Sequence, residues 1–375
     1  MKTYLLVLVA LTIFIFPNTA LAQPQAIPGS PKSGKTGIGA HLDLDGNDIP
    51  QALRTANILR VDWVSLDFDW AANWPDINGQ PVLDRLDNAM QLAAQNKLVI
   101  LLRLMDAPGW ARNISGPDPD RTAWFISNLV KRYPGIIQAV ELFPAANTES
   151  GWGNEPKPDV YAHFFQSVAA AVKETGIFVV GPGLSPLPAV NPSSHDIDDL
   201  VFLQGLYDAG AAAFMPVVSM CLPVTYGDPL TSPAGNEHRV LRHYEEIHQV
   251  MLSNNHKEGL IWITQFNLPM SFQNGSNDVS LENNPLAQEE WLSQAYHQLR
   301  SQLYLGMASL ININSPSANP PENAITASLL DANLKRNPTY QALKDVILDN
   351  NPAKVKILNF NKPQNKQITK SPGSP

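Results

Sequence analysis

Short runs rich in Val, Ile and Leu alternate along this sequence with longer stretches whose apolar residues recur at helical spacing. The strand-like runs fall at 37–42, 63–67, 97–104, 137–143, 178–181, 217–220, 260–264 and 307–313. Runs this uniformly apolar describe strands covered on both faces, as in parallel sheets. The helical stretches between them fall at 49–56, 83–95, 121–133, 159–175, 196–209, 238–253, 287–304 and 338–348, the first being the least pronounced. Repeated strand and helix pairs over one continuous stretch predict an α/β fold, a single-domain (β/α)8 TIM barrel rather than an open doubly wound sheet. In such a barrel the reacting and binding groups come from the C-terminal ends of the strands and the loops that follow.

The ends of the chain read differently. Residues 1–22 carry Lys2, an apolar run from Tyr4 to Phe16 and the ending Ala20-Leu21-Ala22, the pattern of a cleavable signal peptide. A secreted or periplasmic protein beginning near Gln23 is the expectation, with no membrane partner after cleavage, because no later stretch reaches the roughly 18 apolar residues of a spanning helix. Residues 23–36 read as a flexible linker, 37–350 as the barrel and 351–375 as a disordered polar tail.

Composition excludes some partners. A net charge of -8 without a Lys/Arg cluster argues against nucleic acid. Cys221 is the single cysteine, so no intrachain disulfide forms, and it reads as a small buried hydrophobe. Gly29-Ser-Pro-Lys-Ser-Gly34-Lys35-Thr36 matches a phosphate-binding loop in letters only, since no strand precedes it and no helix pattern follows. His238, His243 and His248 recur every five residues, whereas a metal pair on a helix face needs three or four, so they read as solvated or packing residues. No metal or cofactor is expected.

Two segments carry a resemblance. Ala139-Val-Glu-Leu-Phe-Pro-Ala-Ala-Asn147, followed by Gly151-Trp-Gly and later by Val179-Val-Gly-Pro-Gly-Leu-Ser-Pro186, resembles the fourth strand onward of the (β/α)8 clan of retaining glycosidases, which includes cellulase-like and xylosidase-like enzymes. That strand of the clan ends Glu-Ile-Trp-Asn-Glu-Pro-Asn. Here Glu141 keeps the first glutamate, Phe143 stands for Trp, Pro144 for Asn, Ala145 for the acid/base Glu and Asn147 for the last Asn. Ile261-Trp-Ile-Thr-Gln265-Phe-Asn267 is similar to the clan's Ile-Trp-Leu-Thr-Glu-Phe-Gly, where Glu is the nucleophile. Ser65 stands where the clan has Arg, Cys221-Leu-Pro-Val224 where it has His-Pro-Tyr, and Asn312 and Asn314 near its sugar-stacking Trp. The resemblance spans residues 37–348 and implies a glycosidase barrel lacking both catalytic carboxylates.

Retaining hydrolysis needs a carboxylic acid and a nucleophilic carboxylate about 5 to 5.5 Å apart. A methyl group moves no proton, and a carboxamide is neither basic nor nucleophilic at neutral pH. The expected function is therefore a secreted pseudoenzyme that binds an oligosaccharide or polysaccharide through Trp70, Trp74, Trp110, Phe143, Asn147, Trp152, Tyr226 and Gln265, with Phe272 as a further ring. Trp124, Trp262 and Trp291 are expected in the core, and Glu141 as a deep hydrogen-bond acceptor out of reach of the mouth. Two alternatives remain open. One is an active hydrolase or transglycosylase using displaced acids, Asp67, Asp69, Asp106, Glu149 or Glu155; the other is a structural or protein-partner role.

Overall fold

The computed structural model describes residues 36–46, 48–187, 195–225, 227–233, 239–269, 271–274, 277–281, 284–310, 312–314 and 328–348. The expected signal peptide, the linker up to residue 35 and the tail lie outside these residues, as do Tyr226, His238 and the side chain of Phe272.

Eight parallel strands close on themselves: β1 (Gly37–Leu42), β2 (Trp63–Asp69), β3 (Ile100–Met105), β4 (Ile137–Leu142), β5 (Phe178–Leu184), β6 (Val217–Leu222), β7 (Leu260–Phe266) and β8 (Leu305–Leu310). Each pairs with its sequence neighbour, and β1 closes on β8 with Gly37 beside Met307 and Ile38 beside Ala308. The helices α1 (Ile49–Leu59), α2 (Asp84–Gln95), α3 (Pro119–Arg132), α4 (Pro158–Val172), α5 (Asp199–Asp208), α6 (Tyr244–Ser253), α7 (Pro285–Arg300) and α8 (Pro338–Leu348) follow the strands in turn. The (β/α)8 barrel expected from the alternation is thus the fold observed.

Local chemistry sets the boundaries. Asp118 accepts a hydrogen bond from the Arg121 amide and Pro119 takes the first turn, so α3 begins two residues before the expected Arg121. Lys97 sits in a left-handed conformation (φ 56°) as the chain leaves α2, which delays β3 to Ile100. Thr36 is not linker: it is buried, its hydroxyl donates to the Leu299 carbonyl, and the chain then enters β1, not the helix a phosphate loop requires.

Side chains inside the barrel change character from floor to mouth, every second residue along each strand pointing inward. The floor is apolar: Trp63, Leu101, Ala139, Val180, Val217, Leu260, Trp262 and Met307 form one buried cluster, with Trp63 and Trp262 rings 5.3 Å apart. Two residues further along come Ser65, Arg103, Glu141, Ser219, Thr264 and Ser309, all buried and polar. A larger outer core, between strands and helices, holds Trp291 as expected. Trp124 departs from expectation: it lies on the solvent side of α3 and is 49% exposed.

Candidate functional site at the barrel mouth

Arg103 is the centre of the mouth. It projects from β3 and is only 2% exposed, and its guanidinium meets four strands. Nε donates to Glu141 Oε2 on β4 at 2.8 Å, and Nη1 donates to Asp67 Oδ1 on β2 at 2.6 Å and to Gln265 Oε1 on β7 at 3.1 Å. Nη2 lies 2.9 Å from Cys221 Sγ on β6. Burial opposes the charge of Arg103, but Asp67 and Glu141 outweigh it and hold the group protonated beyond its ordinary range.

The surrounding residues complete the network. Thr264 donates its hydroxyl to Glu141 Oε1 at 2.9 Å, so both oxygens of the buried carboxylate are satisfied. Removal from water pushes the Cys221 thiol up to about 11 despite the neighbouring guanidinium, which keeps it a thiol rather than a nucleophile at neutral pH. His41 stands 3.8 Å from Asp67 Oδ2; burial lowers its pKa more than that carboxylate raises it. Its Nδ1 is 3.3 Å from Ser65 Oγ, which in turn is 2.8 Å from Ser309 Oγ.

Glu141 is a fully buried acceptor, as the sequence suggests, and one guanidinium links it to Gln265. Arg103 is a site residue that the sequence motifs do not mark. The available signal was an arginine inside Val99-Ile-Leu-Leu-Arg-Leu-Met105 with a glutamate at the matching place in the next apolar run. A charge buried mid-strand requires an opposite charge on a neighbour.

Ala145 follows β4 in a tight turn. Phe143 (φ 50°) and Ala145 (φ 61°) are both left-handed, and the Ala145 amide donates to Gly183 O at 2.7 Å. The turn fits because Gly183 has no side chain, where a Cβ would come within 2.7 Å of Pro144 Cα. Ala145 and Gln265 are each half-buried.

Several residues expected to meet sugar are instead packed inside. Trp70 is fully buried, stacked on Phe125 with centroids 4.4 Å apart. Phe143 and Trp152 are buried against each other and against Phe164, and Trp152 Nε1 donates to Ser115 O. Asn147 clamps two loops: its amide donates to the Ser185 and Ile197 carbonyls and its oxygen accepts from the Ser185 amide. All four are consumed by packing or backbone bonds and have no free face for a ligand. Trp74 and Trp110 remain half-exposed at the rim. Asn314, beyond β8, binds both the amide and the carbonyl of Asp43, a loop clamp.

The acids divide in the same way. Asp67 is ion-paired with Arg103 but 39% exposed. Asp69 caps the helical turn Trp70–Asn73 by accepting from the Ala72 amide. Glu149 opens the turn Glu149–Trp152 and pairs with His195 at 2.9 Å, and Glu155 pairs with Lys157 at 3.3 Å. Asp106 is exposed and left-handed (φ 39°). Partial desolvation and the charge of Asp69 raise its carboxyl above the usual range, with Arg112 pulling the other way.

No protein-family model matches the sequence, and no curated protein matches it. Solved structures do match in fold. A family 39 glycoside hydrolase from the gut symbiont Bacteroides cellulosilyticus WH2 aligns at TM-score 0.58 and 16% identity over 84% of this chain; the chain spans 64% of that protein, less than two thirds of its length. A GH5-4 broad specificity endoglucanase from Clostridium acetobutylicum aligns at 0.56 and 14% identity over 86% of this chain and 100% of its own. Xylanase 10B from Thermotoga petrophila RKU-1, solved in complex with xylobiose, aligns at 0.56 and 13% identity over 87% and 98%. The chain therefore has the (β/α)8 fold of glycoside hydrolases.

Proposed function

We propose that this chain is an exported, glycoside-hydrolase-like barrel that holds an oligosaccharide or polysaccharide at its mouth without cleaving it. The observation that carries the reading is what stands at the two positions the resemblance assigns to catalysis: the methyl group of Ala145 and the carboxamide of Gln265, the latter hydrogen-bonded to Arg103. Asp67 and Glu141, the carboxylates that share Arg103 with that amide, are themselves ion-paired with its guanidinium. Neither is a free anion for attack on an anomeric carbon, and none of these groups delivers a proton to a leaving oxygen. The polar, half-buried Gln265 and Asp67 still offer acceptors and a donor to sugar hydroxyls, with Trp74 and Trp110 on the rim. Export rests on the signal-like residues 1–22.

Aryl glycosides with good leaving groups need little acid assistance and are the most permissive substrates. Purified protein is expected to turn over none of them while binding at least one member of a glycan panel in calorimetric titration. Turnover near the roughly 1–1,000 s⁻¹ of ordinary enzymes would overturn the proposal.

One observation supports a second reading. Partial desolvation and the charge of Asp69 raise the Asp106 carboxyl above its usual range, the direction a proton donor requires. If the barrel is a hydrolase with a displaced acid, Asp106→Asn abolishes aryl-glycoside turnover that the unaltered protein displays.

A further inference from the structure

On the outer side of the rim, where the loops after β2 and β3 meet the start of α3, the surface holds a depression of about 230 Å³ lined by Ile77, Trp110, Asp120, Arg121 and Trp124. Trp124 and Ile77 are 49% and 48% exposed, so a continuous apolar surface faces solvent here. The rings are held firmly from behind. Trp74 lies 5.0 Å from Trp110 and 5.7 Å from Trp124, and Trp70, stacked on Phe125, meets Trp110 edge-on at 5.3 Å. The indole N–H groups of Trp74 and Trp110 are spent on the Gly79 and Trp74 carbonyls at 3.1 and 2.9 Å. Arg121 is fixed as well: its guanidinium donates to the Trp110 carbonyl and lies 6.0 Å from that ring's centroid.

The geometry points to a surface site for a pyranose unit of a neutral polysaccharide, stacked on Trp124 and separate from Gln265 and the Arg103 network. A pyranose presents an apolar C–H face to an aromatic ring and a rim of hydroxyls around it. The depression has the apolar part of that pattern in its Trp110, Trp124 and Ile77 lining, and the exposed, charged Asp120 and Arg121 also border it. Its volume lies below the roughly 300–1,000 Å³ of pockets that enclose drug-sized ligands, which suits one ring of a longer chain. Trp74 and Trp110 are already held by their indole hydrogen bonds, and Trp124 packs against Trp74, which limits the freedom lost on binding. The inference rests on the carbohydrate-binding half of the proposed function and adds a second place where binding occurs.

The test is titration of the full chain with cellohexaose, xylohexaose and mannohexaose, followed by indole fluorescence and calorimetry, on the unaltered protein and on Trp124→Ala, Asp120→Ala and Gln265→Ala. Trp124 is exposed, so its replacement is expected to leave the melting temperature unchanged. For at least one sugar, Trp124→Ala is expected to weaken binding roughly tenfold, the equivalent of one lost stacking contact. Asp120→Ala weakens it less, and Trp124→Phe restores part of it. If Trp124→Ala binds like the unaltered protein while Gln265→Ala does not, the surface site is overturned and the mouth reading stands. If only the Trp124 and Asp120 variants lose binding, the surface site stands and the mouth reading fails. If the unaltered protein binds none of the three, the surface site is overturned outright.

Discussion

Arg103 shares its guanidinium between Glu141 and Asp67, so replacing it with methionine strands Glu141, fully buried on β4, without its cation. Breaking a buried pair from one side costs about 3–5 kcal/mol, because the orphaned charge keeps its desolvation penalty. Urea denaturation of Arg103→Met is expected to show that loss, and adding Glu141→Gln to the same chain is expected to return part of it; an undiminished midpoint in the single variant would refute the network. A second buried charge sets a pH dependence. His243 lies between Asp199 (2.6 Å) and Glu246 (2.8 Å); burial opposes its protonation, but those two hydrogen bonds outweigh it and push its pKa up to about 9 from 6.5. Its stabilisation is complete below pH 6.5 and is lost as pH rises through about 9, on the order of 3 kcal/mol by linkage. Denaturant midpoints at pH 6 and pH 9.5 measure it. The five-residue spacing of the histidines excluded a metal pair but did not reveal this ion pair, whose main partner, Asp199, lies 44 residues away. His248 does pack as the sequence suggests, stacked on Tyr304 at 3.6 Å.

Helix and strand positions were legible because the signals that define them are local. Asp118, Asp198 and Asn284 each cap the helix they precede, and Pro119 and Pro285 each stand in a first turn. Asp118→Ala is expected to lower stability by about 1 kcal/mol without altering the fold, read as a shift in thermal midpoint. The ring positions were less legible, because the loops after β2 and β4 looked open in the sequence. Each contains a one-turn helix, Trp70–Asn73 and Glu149–Trp152, started by a cap at Asp69 or Thr148, and those turns rotate Trp70 and Trp152 inward. Trp124 goes the other way: its helix is legible in the sequence, but α3 presents that position outward. In β8, a Cβ at Gly306 would collide with the Trp262 indole nitrogen, a floor side chain with no space to move. Gly306→Ala is therefore expected to destabilise by about 1–3 kcal/mol through overpacking, visible in the same denaturation experiment.

The fold as a whole followed from the alternation, since chains that deliver strands buried on both faces, each with a helix after it, have few closed solutions. The chemistry of the mouth did not follow as directly. It is assembled from β2, β3, β4, β6 and β7, so the contacts that decide it link residues far apart in sequence, such as Arg103 with Gln265. The barrel is closed only by β8, which joins β7 on one side and β1 on the other. A chain ending at residue 300 leaves both of those edges bare, and it is expected to give no cooperative melting transition by circular dichroism. A similar condition holds during synthesis. Until residues 305–310 have left the ribosome, the growing polypeptide carries an incomplete ring with two unsealed margins, so the last strand made is the one that completes the fold.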